Sequence, residues 1–117
     1  MAKTGFDFEE LLSRVENDRE LMRDLLLIFK EEFPLHHQAL REAVEHKDVV
    51  RIESEAHKLK GMLSNLAAHE AAEAAARLEL LVRSAETSEF QEPFAEFDRI
   101  AEELARELDS CLAEVSR

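Results

Sequence analysis

The sequence predicts an all-α protein: an antiparallel up-down-up-down four-helix bundle with a short N-terminal helix that caps one end. Three observations predict this class. Only two glycines and two prolines occur in 117 residues, so the chain has few signals for turns. Leu, Ala, Glu and Arg, which favour helices, are its commonest residues. Every apolar pattern recurs at helical spacing, and none alternates as a strand would. Long amphipathic helices with short connections pack as antiparallel neighbours.

The first two helices are separated by a polar interruption. A short helix is predicted over about 6–15. Asn17 is followed three residues later by Glu20, a pattern that resembles a capping box and predicts that a long helix over about 18–46 starts here. Pro34 lies inside that helix, where it removes one backbone hydrogen bond, so a kink or a break is expected close to it.

The third helix is predicted over about 49–66, with Asp48 placed to cap its first turn. Residues 67–70 contain neither glycine nor proline, but the apolar pattern changes register there, which predicts a turn.

Two further helices complete the bundle. The fourth is predicted over about 70–85 and the last over about 90–115, with a polar loop at 84–88 between them. The apolar residues of the last helix follow a heptad spacing that includes Cys111, which we expect to be a buried small apolar residue. The whole chain, 1–117, is predicted to be one domain.

Composition excludes several classes of function. A net charge of −12 argues against binding to nucleic acid or to anionic membranes. No apolar run has the length of a membrane span, and the N-terminus has no secretory apolar segment. A single cysteine cannot form an internal disulfide, so a reducing, cytoplasmic setting is expected. A bundle that covers its own core is expected to be a monomer.

No cofactor or metal ion is expected in this chain. There is no glycine-rich phosphate loop, so ATP binding is not supported. The four histidines outside the third helix do not have the spacing of metal ligands: His36, His37, His46 and His69.

The exposed face of the third helix carries the candidate site. Its opposite face is an apolar stripe made of Val49, Ile52, Ala56, Leu59, Leu63 and Leu66. At about 100° per residue, Lys60, Gly61 and Ser64 lie within about 60° of His57. Lys58 beside the histidine adds to a local basic spot. Because a glycine in an exposed helix costs about 1 kcal/mol, Gly61 is expected to leave room for a partner.

The neighbouring helix is expected to contribute to the same face. If the chain turns back near residue 68, positions equidistant from the turn lie side by side, and Glu79 and Arg83 would flank the His57 imidazole. The alternative is that both are ordinary surface charges.

An exposed imidazole beside cations suits nucleophilic chemistry. A neutral imidazole nitrogen can attack an activated phosphoryl group and hold it covalently. A lysine one turn away would offset the charge of the phosphoryl oxygens. By spacing alone, a surface histidine without function remains an equal alternative.

Residues 56–61 read Ala-His-Lys-Leu-Lys-Gly, and they match in full the motif Ala-His-x-Leu-Lys-Gly of the histidine-containing phosphotransfer (HPt) domains of multistep two-component signalling. The chain resembles this family over nearly its whole length, at Phe6-Asp7, at 21–34, at Asp48 and at Leu78-Glu79. It departs from the family in two places. Ala67 stands where a second glycine is usual, for which we expect a small change in the turn, and Glu79 stands near a position where members often carry glutamine.

The resemblance implies a phosphorelay intermediate. His57 would accept a phosphoryl group from an aspartyl phosphate on the receiver domain of a hybrid histidine kinase or response regulator and pass it to another receiver. Lys60 would stabilise the phosphoryl oxygens, while Gly61, Lys58 and Ser64 would contact the receiver, Ser64 through a hydrogen bond. Mg²⁺ would belong to the receiver, and this domain would have no ATP-dependent kinase activity.

Two alternatives stay open at this stage. One is a non-catalytic helical interaction or scaffold module with an incidental histidine, which incubation with a phosphorylated receiver would distinguish. The other is the autophosphorylating dimerisation domain of a histidine kinase, which the four long helices in one chain disfavour.

Overall fold

The computed structural model describes residues 5–84 and 89–116, and within these ranges all regular structure is helical. Five helices follow in order: α1 (Phe8–Arg14), α2 (Arg19–Glu45), α3 (Val49–Asn65), α4 (His69–Ser84) and α5 (Gln91–Val115). The predicted all-α class is therefore confirmed. The ends of these helices agree with the predicted bounds to within two residues. The predicted end of the fourth helix at Ala85, and most of the loop predicted at 84–88, lie outside the described residues.

Aspartates start the first three helices. Each carboxylate accepts a hydrogen bond from the backbone N–H three residues later: Asp7 for α1, Asp18 for α2 and Asp48 for α3. The prediction that Asn17 caps α2 is wrong by one residue. Asn17 instead has a φ of 62°, so its backbone forms the turn and Asp18 supplies the cap.

Three helices end in turns that usually contain glycine, and α1 does so at Glu16, which has a φ of 54°. Lys47 follows α2 with a φ of 52°, and Ala67 follows α3 with a φ of 56°. After α3, the N–H of Ala68 donates to the carbonyl of Leu63 and that of Ala67 to Ser64, which is the Schellman arrangement. Ala67 thus adopts the left-handed conformation that favours glycine, and the turn forms with alanine in its place.

Pro34 does not end the second helix. α2 runs unbroken from Arg19 to Glu45 with Pro34 inside it, so the predicted break does not occur. Residues on both sides of the proline are anchored in the same core, because Phe29 and Phe33 before it and Leu40 after it are all buried. Burial of these large side chains offsets the lost backbone hydrogen bond.

The helices pack around one apolar core, with α2 beside α3 and α5, and α4 beside α3 and α5. Ion pairs give the direction of α2 relative to α5, because Lys30 pairs with Asp109 and His37 with Asp98. The two helices therefore run in opposite directions. Cys111 of α5 is half-buried rather than fully buried, and burial raises the pKa of its thiol. Within the described residues, no helix combines the length and apolarity needed to cross a bilayer.

The N-terminal segment closes the end of the bundle at the α3–α4 turn. The N–H of Asp7 donates to the carbonyl of Ala67 over 3.0 Å. Arg14 donates to the carbonyls of Ser64 and Asn65, which lie in the last turn of α3. The first helix therefore secures the C-terminus of the helix that carries His57.

Candidate functional site

His57 projects from the middle of α3, away from the core. Its neighbours in the apolar stripe, Ala56 and Leu59, are fully buried. The His57 side chain is 63% exposed. The buried stripe fixes the helix, so the imidazole is held on a rigid element and remains open to solvent.

Glu79 of α4 contacts the imidazole. Its Oε2 lies 2.8 Å from Nδ1 of His57. Glu79 is the one charged residue buried among those that the structure describes, with its side chain 4% exposed. The prediction from the turn position located the right stretch of α4, but a charged residue this deeply buried is not visible in the sequence pattern.

Lys60 is bound to the same carboxylate. Its Nζ donates to Oε1 of Glu79 over 2.7 Å. This hydrogen bond is the main cause that holds the pKa of the Glu79 carboxyl below its ordinary value. The His57 contact adds to it, and burial opposes both. Glu79 is therefore an ionised carboxylate at neutral pH, and Lys60 is engaged by it rather than free beside the histidine.

Arg83 of α4 forms a second ion pair with the Glu79 carboxylate. Its Nη2 lies 3.0 Å from Glu79 Oε2, while its Nε donates to Glu53 of α3 over 2.8 Å. The bond to Glu53, followed by the charge of Glu79, raises the pKa of the guanidinium. Arg83 is therefore linked to the imidazole through the Glu79 carboxylate, which both side chains contact. Glu53 was not among the predicted residues, since its part depends on how α3 and α4 align.

Gly61 is on the exposed surface one turn after His57. A Cβ built at this position meets no atom within 4 Å. The other glycine differs, because a Cβ at Gly5 would lie 2.5 Å from Cδ1 of Leu104. The described structure itself therefore requires a small residue at Gly5 but not at Gly61.

Lys58 and Ser64 are exposed, and within the described residues neither forms a hydrogen bond or an ion pair with the His57 side chain. Lys58 lies 3.8 Å from Glu55, a distant ion pair. Ser64 is exposed, and its backbone carbonyl accepts a hydrogen bond from Arg14. The predicted site residues therefore divide into a bonded group around Glu79 and three surface positions: Gly61, Lys58 and Ser64.

An apolar groove lies between α2 and α3 on the Gly61 side of His57. We call it the α2–α3 groove; its volume is about 520 Å³, and its apolar lining includes Leu25, Ile28, Met62 and Leu66. Ile28 is 57% exposed, although other apolar residues of α2 are buried in the core. The groove was not predicted from the sequence. The sequence did contain a signal for it, namely that Ile28 lies on the outward side of an amphipathic helix.

One group of residues brings together atoms that could ligate a metal ion. Within the described ranges, Asp7, Glu10 and His69 place one ligand atom each within 4.8 Å of the others. Glu10 already pairs with His69 over 2.8 Å, and also with Arg14. These ion pairs account for the arrangement, which lies at the α3–α4 turn and apart from the His57 contacts.

Comparison with known families decides the relationship. The Hpt domain family matches this chain over residues 24–116. The chain belongs to the Hpt domain family. Members of this family carry out histidine phosphotransfer in phosphorelays and interact with receiver domains, and the Ala-His-x-Leu-Lys-Gly motif at 56–61 lies inside the matched segment. The resemblance noted at Phe6-Asp7 lies before it. No curated protein and no solved structure matches the chain.

Proposed function

We propose that this Hpt domain is a phosphorelay intermediate in which His57 accepts a phosphoryl group from the aspartyl phosphate of one receiver domain and passes it to a second receiver. The observation that carries the proposal is which of the two imidazole nitrogens is hydrogen-bonded. Nδ1 is held by Glu79, and Nε2 makes no hydrogen bond within residues 5–84 and 89–116. The free nitrogen is thus the one available to attack.

The reaction needs only positioning and electrostatics from this chain. The lone pair of Nε2 forms a bond to phosphorus while the bond between phosphorus and the aspartyl oxygen breaks, and its electrons leave with the receiver's carboxylate. The reverse step returns the group to an aspartate of the next receiver. Mg²⁺ would be bound by the receiver, whose acidic site must keep the phosphoryl charge neutralised.

Lys60 is the lysine of α3 that shares the Glu79 carboxylate with His57. Its side chain is 35% exposed, so its ammonium can be reached from the His57 face. When a phosphoryl group is bound at Nε2, its oxygens compete with Glu79 for the Lys60 ammonium. Charge compensation of this kind acts most strongly where a partner excludes water.

The receiver is proposed to dock over the α2–α3 groove. Exposed Ile28 and partly buried Leu25 offer apolar surface beside Gly61, where added bulk would meet the partner rather than this chain. An apolar surface of the receiver in this groove would place its aspartate over His57 and exclude water from the transfer. The net charge of −12 is concentrated elsewhere on the surface, since the groove lining carries one acidic residue, Glu32, and one lysine, Lys58.

The test is transfer from a phosphorylated receiver to the purified protein. A receiver of a hybrid histidine kinase, labelled on its aspartate with radioactive phosphate, is mixed with the wild-type protein and with His57→Gln. We expect acid-labile, alkali-stable label on the wild type and none on the variant. The variant should stay within about 1 kcal/mol of the wild type in unfolding free energy, because the replaced side chain is exposed.

His69→Gln is the matched control, since it removes an exposed histidine at the α3–α4 turn and should be labelled like the wild type. A His57→Gln protein that acquires the label normally would refute the proposal. An absence of labelling on the wild type by any of a panel of receivers would favour a non-catalytic interaction module instead.

A further inference from the structure

We infer that His36 is a specificity-determining residue for receiver docking: its Nε2 accepts a hydrogen bond from an N–H or O–H group of the receiver that occupies the α2–α3 groove. This inference rests on the proposed function, because it concerns the same docking surface. It adds a requirement that apolar contacts alone would not make, namely a hydrogen-bond donor at one defined place on the partner.

His36 of α2 is the least exposed of the three polar residues that line the groove. Its side chain is 29% exposed, whereas that of Lys58 is 54% exposed and Glu32 is also exposed. When a partner covers the groove, the two exposed side chains keep contact with water at its edge, but the imidazole does not. A polar atom that loses water without gaining a hydrogen bond opposes binding. The group that faces His36 therefore matters more for affinity than the groups that face the other two.

The Nδ1 atom of His36 is already bonded within the chain. It lies 2.9 Å from Oε1 of Glu55 on α3, whose side chain is 13% exposed. Lys58 lies 3.8 Å from the other oxygen of the same carboxylate. A carboxylate next to a lysine is ionised at neutral pH and can only accept hydrogen bonds. Nδ1 is therefore the donor of this bond.

The second nitrogen of the ring is left as an acceptor. A neutral imidazole with its proton on Nδ1 carries a lone pair on Nε2. Nε2 of His36 makes no hydrogen bond to the residues in 5–84 and 89–116, and no fully buried side-chain nitrogen or oxygen in those ranges lacks a partner. It follows that this nitrogen reaches solvent. A receiver in the groove meets an acceptor, which an N–H or O–H group satisfies and a carboxylate or an apolar group does not.

His36 is similar to His57 in its bonding but not in its position. Each ring has Nδ1 against a glutamate, but the His57 side chain is 63% exposed, more than twice the fraction of His36. A reacting nitrogen needs an open approach, whereas a recognition contact is strongest where binding removes water from the polar atom. The ring on α2 therefore suits partner selection, and the ring on α3 suits transfer.

Receiver binding to three variants separates a hydrogen bond from apolar contact. Titration calorimetry uses the unphosphorylated form of the receiver that labels the wild type fastest, at mildly alkaline pH, where imidazoles are neutral. His36→Leu extends the apolar lining but removes the acceptor, so we expect about tenfold weaker binding. His36→Gln presents an amide oxygen that can accept instead, so it should bind within about threefold of the wild type. His46→Gln is the matched control, because His46 is an exposed histidine at the end of α2, outside the groove lining, and it should bind like the wild type.

Nitrogen-15 spectra of the imidazole give a readout that a merely structural role would not change. The His36 signals are identified by their loss in His36→Gln. In the free protein we expect the proton on Nδ1. When the receiver is added, the Nε2 signal should shift in the direction of a nitrogen that accepts a hydrogen bond, with the proton still on Nδ1. The His46 signals should stay in place.

The proposal is overturned if His36→Leu binds the receiver as tightly as the His46→Gln control does, or if the free His36 ring carries its proton on Nε2. If His36→Leu does not fold, the Nε2 signal decides alone, and an unchanged signal on receiver binding overturns the proposal. Failure of the proposed function is a different result. A wild type that no receiver labels overturns both, whereas normal labelling with unweakened binding of His36→Leu overturns only the contact at His36.

Discussion

Replacing Gly61 should stabilise the isolated protein and weaken its interaction with a receiver. Gly61 lies in the interior of α3, where glycine costs about 1 kcal/mol relative to alanine. An added Cβ meets no atom within 4 Å, so Gly61→Ala introduces no clash to offset this gain. We expect about 1 kcal/mol of added stability, which for a chain of this size corresponds to a rise of roughly 3–6 °C in Tm.

The same substitution series tests docking. Gly61→Gln adds a long side chain one turn from His57, and we expect it to weaken receiver binding, measured by titration calorimetry, more than Gly61→Ala does. Ala95→Gln is the matched control, because Ala95 is exposed on α5, a helix that packs mainly on α2 and α4. It should leave receiver affinity unchanged.

Two results would refute this reasoning. If Gly61→Ala lowers Tm in thermal unfolding followed by circular dichroism, then the surroundings of the glycine are not open. If Gly61→Gln binds the receiver as tightly as the Ala95→Gln control, the glycine is not needed for the approach of a partner, and the docking surface lies elsewhere.

Three further outcomes are expected. Leu59→Ala should lower the unfolding free energy in urea by about 2–5 kcal/mol, because Leu59 is fully buried; a loss below 1 kcal/mol would mean that the site collapses around the cavity. The Glu79 carboxyl has a pKa below its ordinary 4.5, so the folded state binds the Glu79 proton less readily than the unfolded state does. The ionised carboxylate therefore adds its full stability above the unfolded-state pKa, and this stability is lost as the pH falls through the folded-state pKa. Urea unfolding from about pH 6 to 3 should therefore show a smaller difference between wild type and Glu79→Gln in acid, and a constant difference would contradict the assignment. Lys60→Ala should slow transfer while leaving receiver affinity within about twofold, and an equal loss of both would assign the lysine to docking instead.

The helix pattern predicted most of the fold because each element carries its own periodicity. The buried stripe from Ile52 to Leu63 follows from spacing within one helix, and the same arithmetic placed His57 on the exposed side. The turn at Ala67 was the weakest boundary for a physical reason. Its left-handed residue is an alanine, so the usual glycine signal is missing although the geometry that favours glycine is present.

The contacts of Lys60 could not be predicted from the sequence. Helix spacing places Lys60 near His57, but whether its ammonium points to solvent or to a neighbouring helix depends on the alignment of α3 with α4 to within one turn. That alignment brings Glu79 to both side chains at once. The continuity of α2 through Pro34 could not be predicted from the sequence either, because it depends on core contacts on both sides of the proline rather than on the local sequence.

The position of α1 determines where the protein can be cut. The matched family segment begins at residue 24, after α1 and after the Asp18 cap of α2. A fragment trimmed to that segment would lose Phe6, which packs edge-on against Phe29, and would uncover that ring. It would also lose Arg14, and with it the hydrogen bonds to the last carbonyls of α3. Amide protons in the last turn of α3 should then exchange with solvent faster, so expression of the domain should retain the residues before position 24.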